Sequence, residues 1–187
     1  MNNQKVLSPY ANHFEKSNGE LQSQKDLKSI VSFIGEKNDF GAVLDIGELN
    51  PLSDKISMKY NIAIEQTSID LDVGKLDGNY DTVFCFEVIE HLFNPLNLLL
   101  EINKVLSNQG TLYLSTPKRR PHFMWYKFHF HEFSNIELKN LIKRAGYKII
   151  RQEYSMSGRP LMKYFTGVRQ ILRLFLERKC LLELKKY

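Results

Sequence analysis

Ala42-Val43-Leu44-Asp45-Ile46-Gly47 and Tyr80-Asp81-Thr82-Val83-Phe84-Cys85-Phe86 are the two stretches that decide the fold class of this chain. Both are short apolar runs, the first closed by glycine and the second rich in β-branched and aromatic residues, which is the signature of buried strands rather than of amphipathic helices. Downstream, Asn94 and Pro95 open a helix over Pro95–Leu106, because Asn caps a helix and Pro suits a first turn whose N–H groups have no partner. Asn108-Gln109-Gly110 turns the chain, Thr111–Ser115 is the next strand, and Thr116-Pro117 stops it. Ser134-Asn135-Ile136-Glu137 is a capping box for a helix through Leu138, Leu141, Ile142 and Ala145, with Gly146 past its end, and Tyr147–Glu153 is again a strand. Upstream, Leu27, Ile30, Val31 and Ile34 keep helical spacing over Leu21–Ile34. Asp54–Tyr60 is a second helix, followed by a strand at Asn61–Glu65. This alternation predicts an α/β fold with a doubly wound, mostly parallel sheet, helices on both faces, and ligands beyond the carboxyl ends of the strands.

The organisation around that core divides into a mobile N-terminal arm at residues 1–20, the α/β domain at residues 21–158, and a basic amphipathic C-terminal helix at residues 159–187. A chain of 187 residues with 43% hydrophobic content can bury one sizeable core. Its two cysteines, Cys85 and Cys180, form no CxxC pair and suggest neither a disulfide framework nor a structural zinc. Met1-Asn2-Asn3-Gln4-Lys5 has no signal-peptide layout and no apolar run approaches the ~20 residues that span a bilayer, so the expected location is cytoplasmic. The net charge of +5 is concentrated at one end. Residues 159–187 hold eight basic and two acidic side chains, or +6, which leaves −1 for the rest. Leu161, Tyr164, Phe165, Val168, Ile171, Leu172, Phe175 and Leu176 recur at helical spacing among those cations. Such a helix packs on its own domain or a second copy, lies on an anionic membrane surface as a peripheral anchor, or grips nucleic acid.

Val43–Gly47, then Tyr80–Leu92, then Gly110–Pro117 resemble, in order, the first, fourth and fifth strand segments of class I S-adenosylmethionine-dependent methyltransferases. His131-Glu132-Phe133-Ser134 through Ala145-Gly146-Tyr147 resembles the same superfamily's next helix and strand. The resemblance covers roughly residues 27–153 and implies S-adenosylmethionine as cofactor. It departs at one point: the family loop Gly-x-Gly-x-Gly is here Gly47-Glu48-Leu49-Asn50-Pro51, a degenerate version that keeps the first glycine only. The cofactor-binding residues expected from the match are Asp45, Gly47, Glu65 for the ribose and Asp70 near the adenine. Glu65 and Asp70 stand so close in sequence that the crossover helix between the second and third strands has been lost, and the fold is abridged there.

Glu87-Val88-Ile89-Glu90-His91 places three ligand-type side chains at i, i+3 and i+4. The pattern resembles that of the ubiquinone-pathway O-methyltransferases and of the small-RNA 3′-terminal 2′-O-methyltransferases. In the latter a further histidine completes a divalent-metal site, and His131 matches it. The metal-ligating set implied is Glu87, Glu90, His91 and His131, holding Mg or Mn. Without metal, His91 is the general base, with Glu90 beside it, since an imidazole of pKa ~6.5 suits proton removal near neutrality. Lys118, Arg119 and Arg120 lead into the aromatic run Phe123-Met124-Trp125-Tyr126-Lys127-Phe128, which either selects substrate or folds back as a lid. The activity expected first is methylation of a hydroxyl on a small molecule or glycan. Beside it stand RNA 2′-O-methylation with a divalent metal and, on the strength of Gly47–Pro51, a cofactor-free methyltransferase-like interaction module.

Overall fold

The computed structural model describes residues 19–37, 39–47, 51–156 and 176–187. The elements are α1 (Gly19–Ile34), β1 (Val43–Asp45), α2 (Pro51–Tyr60), β2 (Glu65–Gln66), β3 (Tyr80–Phe86), a 3₁₀ turn at Ile89–His91, α3 (Pro95–Val105), β4 (Leu106–Pro117), a second 3₁₀ turn at His122–Met124, α4 (Asn135–Arg144), β5 (Tyr147–Met156) and β6 (Arg178–Lys186). They form one six-stranded sheet in the order β2-β1-β3-β4-β6-β5. The first four strands run parallel, and β6 is antiparallel to both its neighbours. Because the chain passes from β1 to β2 on one side and then to β3 on the other, the switch point of the sheet lies between the carboxyl ends of β1 and β3, where such sheets bind ligands.

The alternation along each strand sorts the core into two layers. Phe84, Tyr113 and Leu181 face α1 and α2, meeting Ile30, Phe33 and Ile56. Val83, Cys85, Leu112, Leu114 and Leu182 face α3 and α4, meeting Leu98, Leu99, Ile102, Leu138 and Ile142. The helix starts follow the sequence signals: the Asn94 side chain accepts from the Asn97 amide with Pro95 in the first turn, and Ser134 and Glu137 form the reciprocal capping box. α1 begins at Gly19, two residues ahead of the helix expected from Leu21 and inside the arm assigned to residues 1–20, whose first 18 residues are outside those described. Between β2 and β3 the chain runs from Thr67 to Asn79 without a helix, which is the abridgement expected there. Strand β4 starts earlier than expected, at Leu106, with a register shift opposite Tyr80 and Thr82.

The expected C-terminal helix is corrected over its last part. Residues 178–186 are strand β6, inserted between β4 and β5, and residues 157–175 are outside those described. Cys180, Leu181, Leu182 and Leu184 are all buried, because a central strand packs both faces while a helix would turn only one stripe inward. An apolar-basic alternation of this length suits either state locally. Ladder pairing on both edges decides for strand, and the cations of this segment do not line an open helix face. No helix of the described residues is long and apolar enough to cross a membrane.

Candidate functional site

Two groups of side chains gather at the carboxyl ends of the parallel strands. At the end of β1, Asp45 is buried and accepts a hydrogen bond from the hydroxyl of Ser53 on α2. Gly47 has φ 128°, a conformation that a side chain would strain, and among the described residues nothing lies within 4 Å of where its Cβ would stand. Its amide donates to Thr67 Oγ1 at 2.9 Å, which ties the loop to the strand bearing the ribose candidate. Glu65 on β2 is level with Leu44 of β1, and its carboxylate stands near the Tyr80 hydroxyl. Burial first, and that neighbouring acid second, push the Tyr80 phenol up from its ordinary value. Asp70 lies exposed in a turn, accepting from the amide of Asp72 at 2.9 Å through its side chain. Asp45, Gly47 and Glu65 thus share one end of β1 and β2, whereas Asp70 stands in the connection that replaces the lost helix. Residues 48–50 of the departed loop are outside those described.

The second group hangs on Glu90. This carboxyl is fully buried, with Oε2 accepting from Thr116 Oγ1 at 3.1 Å and Oε1 buried without a hydrogen-bond partner among the described residues. Burial, then the nearby charge of Glu87, hold its pKa well above the usual carboxylate range. The Glu90 carbonyl accepts from the amides of Phe130 at 2.9 Å and His131 at 3.2 Å, which bolts the aromatic loop over the 3₁₀ turn. His91 Nδ1 donates to the Phe128 carbonyl at 2.9 Å, leaving the ring's lone pair on Nε2. Burial lowers its pKa, and the adjacent His129 ring, edge-on at 4.8 Å, adds to that.

His129 is the residue that sequence reading missed. Ligand atoms of Glu90, His91 and His129 all lie within 4.8 Å of one another. His131, the expected fourth ligand, instead stacks on Phe133 with ring centroids 5.2 Å apart and stands outside that group. The reason lies in the backbone. Both Phe130 and His131 spend their amides on Glu90, and the extended loop brings the histidine two positions earlier into the cluster. Glu87 is also outside it, its carboxylate being held by Ser115 Oγ at 2.8 Å and Lys179 at 3.4 Å. The bond from His129 Nδ1 to Glu132 Oε1, 3.1 Å long, orients the new member. Glu132 is buried against Arg120, which in turn reaches Glu177 at 3.4 Å. Burial alone would raise the Glu132 pKa, but hydrogen bonds and charge from His129 and Arg120 outweigh it and hold the carboxyl at about 2. Arg120, one of the three cations that lead into the aromatic run, is therefore a buried structural partner, while Lys118 and Arg119 are exposed. The aromatic loop is both lid and surface, since Met124 is fully buried whereas Phe123 and Tyr126 are exposed.

A methyltransferase domain profile matches residues 20–152, the whole span from α1 through most of β5. The chain belongs to the methyltransferase domain family. With the sheet order described above, its fold is the one that solved S-adenosylmethionine-dependent methyltransferases share. A ubiquinone biosynthesis O-methyltransferase from Xanthomonas campestris pv. campestris is 30% identical over 79 residues, which covers 42% of this chain and 31% of that protein. The match thus spans about a third of the curated relative's length. Among solved structures, an O-methyltransferase from a Brevibacillus brevis trans-AT polyketide synthase multienzyme, in complex with S-adenosyl-L-homocysteine, superposes with a TM-score of 0.60. The identity is 16%, and 87% of this chain and 72% of that one are covered. Coclaurine N-methyltransferase bound to N-methylheliamine and S-adenosyl-L-homocysteine gives 0.60 at 12% identity, covering 86% and 72%. Neighbours named for oxygen and for nitrogen methylation thus share one TM-score, so the fold does not choose the acceptor atom.

Proposed function

We propose that this methyltransferase transfers a methyl group to a hydroxyl of a small molecule or glycan, with the acceptor seated at Glu90, His91 and His129. The observation that carries this reading is the pair of imidazoles beside a buried acid in the turn that follows β3. S-adenosylmethionine supplies an activated methyl group on a sulfonium, so the protein's part is placement and proton removal. Asp45, Gly47 and Glu65 are the residues that would hold it. The positive φ of Gly47 fits a backbone approached closely by a ligand. His91 stays neutral near pH 7 because burial depresses its pKa, and so accepts the hydroxyl proton at Nε2. His129, oriented by Glu132, lies against it and can share that proton.

The same three side chains favour a second reading, RNA 2′-O-methylation with a divalent metal. The orphaned Oε1 of Glu90 and imidazoles whose Nδ1 atoms are both engaged fit a cation. Glu90, His91 and His129 would hold Mg, Mn or a softer ion such as Zn, which would lower the pKa of the acceptor hydroxyl. Calorimetric titration with S-adenosylhomocysteine tests the shared premise. Binding in a folded sample is expected, and its absence at millimolar ligand would return the chain to the cofactor-free alternative. Methyl transfer from labelled cofactor onto phenolic, glycan and RNA acceptors, with and without chelator, then separates the two. Full activity in chelator retires the metal, and labelling of RNA alone retires the small-molecule reading.

A further inference from the structure

Lys179 reads in sequence as one cation of an open basic tail, yet the structure buries it beside the site. Its side chain is 16% exposed, and Nζ lies 3.0 Å from Asp26 Oδ1 of α1 and 3.4 Å from Glu87 Oε2. Glu87 is itself unusual. It follows the last residue of β3 with φ 57°, in the left-handed region that costs any residue with a Cβ, and glutamate lacks the short polar side chain that lets Asn or Asp settle there. A backbone outlier at the end of a central strand, two residues ahead of the turn that carries Glu90 and His91, calls for a reason why the side chain is tolerated.

The reason is visible in what holds it. The Glu87 amide donates to the Ser115 carbonyl and to Ser115 Oγ, both at 3.1 Å, while Ser115 Oγ donates to Oε1 at 2.8 Å and Lys179 faces Oε2. Amide and both carboxylate oxygens are thus gripped from β4 and β6. From this geometry we infer that Lys179 is a positioning residue of the acceptor site: by clamping Glu87 in its left-handed turn it sets the direction in which the chain leaves β3, and with it the place of Glu90 and His91 against His129. Asp26 supplies the second anion, so the lysine keeps its charge although buried, and α1 becomes part of the same clamp. Lys179 touches neither cofactor nor acceptor in this scheme. The inference rests on the acceptor site proposed above.

A mere strut between α1 and β6 would alter stability alone, whereas a positioning residue must also move the imidazoles. The test therefore compares the imidazole signals of the full-length protein and of Lys179→Met in long-range proton–nitrogen NMR spectra, assigned through His91→Asn and His129→Asn. Signals of His91 and His129 are expected to shift, and those of His122, in the second 3₁₀ turn, to stay. A folded Lys179→Met with His91 and His129 unmoved, or with His122 moved as far as they are, overturns the inference. Should Lys179→Met not fold, Glu87→Gln, which keeps the bond to Ser115 and leaves Lys179 with Asp26, decides by the same signals. On an accepted substrate, either variant should lower kcat by about ten- to a hundredfold with KM for S-adenosylmethionine unchanged, the range a displacement of about 1 Å produces. A fall confined to that KM would overturn the inference. Failure of the unaltered protein to bind S-adenosylhomocysteine would remove the proposed function but leave the imidazole comparison to decide this point.

Discussion

Replacing Arg120 by methionine should be the most damaging single change outside the hydrophobic core. The guanidinium grips both Glu132 oxygens, with side-chain exposures of 5% and 0%, and it also reaches Glu177. Removing one partner of a buried ion pair leaves an uncompensated charge and costs about 3–5 kcal/mol. For a chain of this size each kcal/mol lowers the melting temperature by about 2–4 °C. The two figures together give a fall of about 6–20 °C, measurable by circular dichroism or scanning calorimetry. The double variant Arg120→Met/Glu132→Leu should recover most of it, because the stranded carboxylate is then gone and apolar side chains replace the pair. The double variant also unties His129, so it should regain stability without regaining methyl transfer. If Arg120→Met melts within about 2 °C of the unaltered protein, less than the loss of 1 kcal/mol would give, the pair is not the keystone of the loop.

Three further outcomes follow from the same geometry. Because the Glu132 pKa is about 2 in the folded protein and near 4.3 in an unfolded chain, its contribution to stability should be complete above pH ~4.3 and disappear as pH falls towards 2; Glu132→Gln should flatten that part of an acid melting series. With His91 depressed below its ordinary value, the acid limb of the rate profile should fall below pH ~6.5, and a limb above that value would point to another base. Leu182→Ala, at a fully buried position in the middle of β6, should cost about 2–5 kcal/mol in denaturant unfolding, whereas a change within about 0.5 kcal/mol would mean that β6 is not a central strand.

Local signals were sufficient wherever one segment had one sensible partner. Val43–Asp45 and Tyr80–Phe86 are apolar runs too short for helices, Asn94-Pro95 and Ser134–Glu137 are caps that need nothing beyond their own turn, and Glu65 and Asp70 stand too close for a crossover helix between them. From these, the α/β class, the parallel half of the sheet and the strand ends at which Asp45, Gly47 and Glu90-His91 stand can all be read directly. Tertiary structure decided the rest, because the deciding interactions join residues far apart in sequence. Arg178–Lys186 alternates in a way that either a helix or a strand could use, and two ladders, to β4 and to β5, make it a strand. The choice between His129 and His131 turns on two amide hydrogen bonds to the carbonyl of Glu90, some forty residues upstream. Lys179 looked like surface charge until β6 carried it between Asp26 and Glu87. A side chain's type is written in its own position, but its partner is set by how distant segments pack, and in this protein the partners decide which histidine joins the site and which cation supports it.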